Sequence, residues 1–308
     1  MSLRVTMTRK MHNAALGLLM KKPLQGLLLP LGRPLNPEKW IFVVGCYDSG
    51  TTLLATILGH LPGFGGLPNE GQFLTDMLPY PETHGWPRMF CQCLDKLGMN
   101  GAGEAEAERI RRQWSIWYPK DARYLVEKSI TGMIRMEFLQ KHFPNAYFIH
   151  IIRDGYAVAK GIQRNANMTR WGTPYDEYPI EMCARQWLVA DDVATEQAGR
   201  LEHYLPVYYE DFAENTGKSM RRIMEFLGIE SNGAGAESGT ECPDVGSEVW
   251  RVHGMRSTIV NMNDREYRLL SEQDVEIIGE VAREGLERHG YAPPEPGVRE
   301  PLETGGVA

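Results

Sequence analysis

Short apolar runs alternate with amphipathic stretches along most of this chain, and their order sets the architecture. Trp40 to Gly45 (WIFVVG) is apolar throughout and ends in glycine, the pattern of a strand buried on both faces. From Ser49 to His60 the apolar side chains fall at Leu53, Leu54, Ile57 and Leu58, one face of a helix. Pro62 and the three glycines that follow stop it. Residues 101–118 predict a polar helix, and Arg123 to Glu127 a second strand. Met133 to Phe143 is an amphipathic helix closed by Pro144, and Tyr147 to Ile152 is a third strand. Helices follow over Gly155 to Arg164 and Ile180 to Ala198, then a fourth strand over Pro206 to Glu210 and a helix over Lys218 to Leu227. A last helix, 271–289, opens at Ser271 with Glu272 and Asp274 in its first turn, where acidic groups suit the dipole. Strands alternating with helices predict an α/β fold. It is a three-layer α/β/α domain with a central, mostly parallel sheet.

That domain spans 37–292. Before it lies an arm, 1–36, whose stretch Met11 to Leu35 is apolar but bordered by Lys10 and interrupted by Lys21, Lys22 and Arg33 and by Pro23, Pro30 and Pro34. A membrane span needs about 20 uninterrupted apolar residues, so no transmembrane segment is expected. No small-residue cleavage site follows to mark a signal peptide. The stretch reads as an amphipathic arm that packs on the domain, with a partner or a membrane surface as the alternatives. Residues 231–240 are a low-complexity loop, and 293–308 read as a disordered tail.

A chain of 308 residues with 43% hydrophobic and 24% charged residues is an ordinary globular protein able to bury a sizeable core. Its net charge of −7 argues against general nucleic-acid binding but leaves room for a local basic pocket. Five cysteines are present, with Cys91 and Cys93 as C-x-C, and no second pair or Cys/His cluster completes a metal site. They read as free thiols of a reducing compartment, so a cytoplasmic location is expected. A homodimer is compatible with the sequence.

Two segments carry chemistry. Gly45-Cys-Tyr-Asp-Ser-Gly50-Thr-Thr lies between the first strand and first helix with the G-x-x-x-x-G spacing of a phosphate loop. Glycines let backbone N–H groups turn inward round a phosphate, and the helix N-terminus adds partial positive charge. The competing reading is a tight strand-to-helix turn with a threonine cap. Thr51 stands where a nucleoside-triphosphate enzyme carries its lysine, which disfavours ATP or GTP chemistry. The second segment, Ile151-Ile-Arg153-Asp154-Gly155-Tyr-Ala-Val-Ala159, leaves a strand and opens a helix. Arg153 can grip a phosphate bidentately and Asp154 can cap the helix, or the two can form a structural pair.

Together these segments resemble the sulfotransferase superfamily, whose donor is PAPS (3′-phosphoadenosine 5′-phosphosulfate) and whose product is PAP, the 3′,5′-bisphosphate. The family's 5′-phosphosulfate loop, G-x-P-[RK]-S-G-T-T-L-L, is matched by Gly45, Ser49, Gly50, Thr51, Thr52, Leu53 and Leu54. Its 3′-phosphate motif, I-x-R-D-G-R-A-V-A-x-S, is matched through Arg153-Asp-Gly155. Tyr124-Leu-Val-Glu-Lys128, Phe143-Pro-Asn-Ala146, Val207-Tyr-Tyr-Glu-Asp211 and Phe226-Leu-Gly228 are similar to further family blocks, so the likeness spans about 40–230. It implies a P-loop-like topology, with Tyr47, Asp48, Ser49, Gly50, Thr51 and Thr52 at the 5′ side. Arg153 and the position of Gly161 would take the 3′-phosphate, and Arg251 and Arg256 would close on it from a later basic loop.

Sulfuryl transfer needs a base for the acceptor proton, positive charge for the oxygens at sulfur, and alignment. No metal is required, and no ligand set suggests one. Glu70, in Gly66-Leu-Pro-Asn-Glu70-Gly-Gln-Phe73, is the base candidate, placed similarly to the catalytic glutamate of carbohydrate-type relatives; a solvated loop carboxylate is the alternative. His60 and His150 are rivals, His150 lying on an apolar strand as a core histidine would. Lys128, at a strand's C-terminal end, is the charge-stabilising candidate, against a surface lysine paired with Glu127. Arg135 falls at a position where the family often carries arginine. Trp171, Trp187 and Trp250 read as core residues, with an adenine or acceptor pocket as the other option.

Three departures from the family pattern bear on mechanism. Asp48 replaces the loop's usual Arg or Lys, and a carboxylate beside phosphosulfate is repulsive unless turned away, protonated or paired. It is also a second base candidate, and Lys128 is expected to supply the missing charge. Gly161 replaces a phosphate-binding serine, with Lys160 or Arg164 as compensating candidates. Ser129-Ile130 replaces Thr-Pro. The function expected is transfer from PAPS to the hydroxyl or amine of a small-molecule or carbohydrate acceptor. A kinase-like phosphotransferase and a catalytically inactive PAP-binding homologue are the alternatives.

Overall fold

A computed structural model describes residues 22–166, 175–229, 250–252, 255–257 and 259–295. Residues 1–21 of the arm, the loop 231–240, Trp171, Cys242 and 296–308 lie outside them. In chain order the elements are α1 (Lys22–Leu28), β1 (Lys39–Val44), α2 (Thr51–Gly59), β2 (Phe64–Gly66), α3 (Glu104–Trp114), β3 (Tyr124–Lys128), α4 (Met136–His142), β4 (Ala146–Ile152), α5 (Gly155–Asn165) and α6 (Ile180–Ala198). There follow β5 (Tyr204–Tyr208), α7 (Tyr209–Glu214), α8 (Thr216–Phe226), a hairpin β6–β7 (Trp250–Val252, Met255–Ser257), α9 (Asn263–Tyr267), α10 (Glu272–Val281) and α11 (Arg283–His289).

Five strands form one sheet in the order β2-β3-β1-β4-β5, and all its pairings are parallel. Each strand is too apolar to face water, and the period of two divides its side chains between two cores. Trp40, Phe42 and Val44 of β1 enter an aromatic core with Trp114, Phe143 and Phe148. Ile41 and Val43 enter an aliphatic one with Leu54, Ile57, Val126, Ile149 and Ile151. Helices α3 to α6, α10 and α11 cover the first face, and α2, α7 and α8 the second. In the aromatic core Trp40 meets Phe143 edge-on with centroids 5.0 Å apart, a geometry that the ring quadrupoles favour.

The expected architecture is present, with local differences. β2 was not foreseen: two of its three residues are glycines, and a Cβ on Gly65 would stand 2.8 Å from Ala122. It exists because β3 offers an open edge against which bare backbone can pack. The fourth predicted strand starts two residues early and ends at Tyr208, since Tyr209 already opens α7. The last helix is two, divided at Ala282. The described part of the arm lies on α3: a Cβ on Gly32 would fall 2.4 Å from the Arg112 carbonyl, and Arg33 N donates to Ser115 Oγ at 2.8 Å. Among the described residues no helix is long and apolar enough to cross a membrane.

Candidate active site

The chain winds from β1 to one side of the sheet, through β2 and β3, and then crosses to β4 and β5 on the other. Where strand order reverses, the carboxyl ends of β1 and β4 leave the crevice in which such sheets bind ligands. The loop after β1 and Arg153 after β4 are the segments that flank it.

The loop's shape is dictated by close approach. A Cβ on Gly45 would lie 2.6 Å from the Ile151 carbonyl, and one on Gly50 2.8 Å from the Tyr209 ring. Gly50 has φ +91°, the left-handed region that glycine enters without strain. Asp48 adopts φ +58° although it carries a side chain. Thr51 is buried at the start of α2. Ser49 is also buried, and its Oγ has no partner among the described residues. Tyr47 turns its ring into the core towards Phe90, so its backbone, not its side chain, belongs to the loop.

Arg153 is buried and held on two nitrogens. Its Nε donates to Asn263 Oδ1 at 2.8 Å, its Nη1 to the Asp48 carbonyl at 2.5 Å, and its guanidinium lies 4.4 Å over the Tyr209 ring. Nη2 is buried without a partner among the described residues. Asn263 is itself fixed by donating to Glu210 Oε1 at 2.8 Å. Asp154 caps α5, accepting from Tyr156 N at 2.7 Å and from the Tyr267 hydroxyl at 2.8 Å. The pairing of Arg153 with Asp154 is therefore not what holds either residue. Burial pushes the Asp154 carboxyl up to about 6, against these hydrogen bonds.

Asp48 answers the question its charge raised. Its carboxylate pairs with Arg88 and accepts from Asn165 Nδ2 at 2.7 Å. Its charge is thus balanced beside the loop, and the neighbouring cation is Arg88 rather than Lys128. Burial alone would pull the Arg88 guanidinium down; the charge and hydrogen bond of Asp48 outweigh it, and its pKa stands above the ordinary arginine value. Gly161 belongs to the same arrangement: a Cβ there would stand 3.0 Å from Asp48 Cβ. The compensating candidates, Lys160 and Arg164, both meet other side chains. Lys160 donates to Gln163 at 2.7 Å and lies 3.5 Å from Asp274, while Arg164 forks onto Glu266 at 2.6 and 3.2 Å.

On the other side of β1 a cleft of about 500 Å³ is lined by Thr52 and Thr56 of α2, His60, Asn69, Glu70 and Lys128 among others. Lys128 Nζ donates to Glu70 Oε1 at 2.7 Å, and both side chains are largely buried, 13% and 17% exposed. Lys128 thus pairs with Glu70 and not with Glu127. Gln72 Nε2 donates to the other oxygen, Oε2, at 2.7 Å, and Gln72 is bonded in turn to Thr131. A carboxylate has about four acceptor positions, so each oxygen keeps capacity for a proton.

Glu127 points to the opposite face, as its place two residues after Leu125 requires. Its Oε1 accepts from Gly71 N at 2.9 Å and from the Ser129 hydroxyl, and Ser129 Oγ accepts from Gln72 N at 3.0 Å. Trp114 Nε1 donates to the Gly71 carbonyl at 2.9 Å. The Glu70 turn is thereby bolted to the end of β3, and Gly71 is obligatory: a Cβ would sit 2.6 Å from Glu127 Oε1. Burial pushes the Glu127 carboxyl up to about 7.

The remaining candidates sort clearly. His150 is buried with Nδ1 2.5 Å from the Tyr204 hydroxyl, and burial pulls its pKa down to about 4, so it is a neutral core histidine. Arg135 donates to the carbonyls of Leu97 and Pro79 and is structural. Trp187 packs in the core and donates to the Arg153 carbonyl at 2.9 Å. Arg251 and Arg256 face each other across the hairpin; their side chains, and that of Trp250, lie outside the described structure.

An α/β domain with a phosphate loop at its sheet reversal and a lone arginine nitrogen beside it is a nucleotide-phosphate-binding fold. The sequence model of the sulfotransferase family matches residues 40–232, more than half of the chain, and the protein belongs to that family. It is 28% identical over 194 residues to protein-tyrosine sulfotransferase 2 of Gallus gallus, covering 61% of this chain and 51% of that protein. It is 33% identical over 194 residues to protein-tyrosine sulfotransferase A of Caenorhabditis elegans, covering 62% and 50%. The chain thus spans about half the length of these relatives. In fold it is similar to a crystal structure of a sulfotransferase from Mycobacterium tuberculosis H37Rv, with TM-score 0.53 and 15% identity over 80% of this chain and 77% of that one.

Proposed function

We propose that this protein transfers the sulfuryl group of PAPS to an acceptor hydroxyl or amine and releases PAP. The observation that carries the reading is the Glu70–Lys128 pair, set in one cleft with Thr52 of the phosphate loop. Glu70 takes the acceptor proton as the acceptor atom bonds to sulfur. The bond from sulfur to the bridging phosphate oxygen breaks in line, and its electrons leave with PAP. The Lys128 ammonium faces the charge that develops on the oxygens. Ser49 Oγ and Arg153 Nη2, both buried and without a partner among the described residues, can donate to a nucleotide with phosphates at both ends of the adenosine ribose.

Two measurements test this. Calorimetric titration should show PAP binding and no tight binding of Mg–ATP; the reverse order of affinities would point to a phosphotransferase. Transfer of labelled sulfate from PAPS to a panel of acceptors, tyrosine peptides included because the relatives named above act on protein tyrosine, should give product. PAP binding without transfer to any acceptor would leave a nucleotide-binding homologue.

A further inference from the structure

We infer that Arg88 binds the donor: it supplies, from outside the phosphate loop, the cation this loop lacks, and Asp48 holds it there. The inference rests on the donor assignment above and goes beyond it in naming a residue that no motif contains. The charges around the loop lead to it. Between Gly45 and Thr52 there is no Lys or Arg and there is one carboxylate. Arg153 offers one nitrogen without a partner among the described residues, Lys160 and Arg164 are committed to other carboxylates, and Lys128 is paired with Glu70 in the cleft. A bisphosphorylated donor brings several negative charges against that inventory, with Asp48 adding one more.

Arg88 meets the need. It comes from the long excursion between β2 and β3, far from either phosphate motif in sequence, and reaches the loop through Asp48. Its guanidinium lies 5.0 Å over the Tyr47 ring, a contact that steadies a cation without using up its N–H donors. Asp48 takes Nη2, while Nε is buried and has no partner among the described residues. A planar fork of five N–H groups engaged on one side is suited to gripping an anion with another.

The placement is built in rather than incidental. Arg88 and Asp48 both hold φ +58° without being glycine, which persists only where the surroundings enforce it. Asn165 fixes the second oxygen of Asp48, and Gly161 clears the space for the Asp48 side chain. The loop's acidic residue and the missing hydroxyl at 161 are therefore one adaptation, whose product is a cation delivered from another segment.

The test is calorimetric titration of PAP into the wild-type chain and into R88Q, R88K and R88Q/D48N, with a thermal melt of each. R88Q should bind PAP at least about tenfold more weakly, the loss expected for a charge-assisted contact, and R88K, which keeps the charge, should recover most of that loss. R88Q/D48N leaves no unpaired charge in the loop and so guards against a misfolded single variant; it should remain at least about tenfold weak. Wild-type affinity in R88Q would overturn the inference. So would wild-type affinity in R88Q/D48N, since Arg88 would then only neutralise Asp48. A wild-type chain that fails to bind PAP would overturn the donor assignment itself, a distinguishable result.

Discussion

Arg153 shows how much a single side chain can be asked to do. Two of its nitrogens are used to anchor it, on Asn263 and on the backbone of the phosphate loop, and the third is buried without a partner among the described residues. With the donor placed as proposed, removing it loses a ligand contact and slackens the loop. R153A should bind PAP at least about tenfold more weakly by calorimetry, from the charge-assisted bond alone. Glu70 is the opposite case, a residue whose charge matters more than its anchoring. Glu70→Gln keeps the shape of the side chain and removes the proton acceptor. Turnover should fall by about 100-fold or more while PAP affinity changes little, as for loss of a general base; retained turnover would exclude Glu70 from that role. Arg153 could be singled out in the sequence because it follows a strongly apolar strand, Glu70 only through its likeness to the family's catalytic glutamate. Glu127 was missed, although its alternation with Leu125 placed a carboxylate on the core face. Arg88 left no signal at all, since its role depends on a contact across forty positions of chain.

At the level of elements, α5 and the phosphate loop are fitted to each other through Gly161 and Asp48. Serine at 161 would put Cβ 3.0 Å from Asp48 Cβ, and α5 gives little room to move, packed as it is in the aromatic core. Gly161→Ser should therefore cost about 1–3 kcal/mol of stability in urea unfolding, as overpacking does. In an Asp48→Ala background the same substitution should cost clearly less. Equal costs in both backgrounds would show that the two positions are not coupled. Element types were readable from periodicity wherever runs were long: β1, β4 and α6 stand as expected. The short elements were not. β2 has no pattern of its own, being two glycines and a phenylalanine laid on an existing edge. The end of β5 could not be told from the start of α7, because tyrosines continue through both.

The whole molecule carries a pH dependence that its sequence does not announce. Glu127 and Asp154 are buried carboxyls with pKa values raised to about 7 and about 6, from 4.5 and 3.8. Below the lower values both folded and unfolded chains hold the protons, and neither group affects stability. As pH rises the unfolded chain ionises first, so it binds fewer protons than the folded one and stability falls. For Glu127 the loss runs from about pH 4.5 to about 7 and is on the order of 3 kcal/mol when complete. Glu127→Gln should flatten the fall in urea midpoint between about pH 5 and about pH 7.5. An unchanged slope would show that Glu127 is not the group responsible.

The order of the sheet has one more consequence. β1 lies between a half that carries Arg153 and a half that carries Glu70 and Lys128, and the stretch from β2 to β3 supplies both Glu70 and Arg88. Inheritance can thus act on that stretch around two fixed positions, Glu70 and Arg88. Lineages that keep the donor while changing the acceptor should record their history in the segment between Leu67 and Arg123, with Glu70, Arg88, β4 and α5 nearly still. A library randomised in that segment, with Glu70 and Arg88 kept, is where new acceptor preferences should be sought.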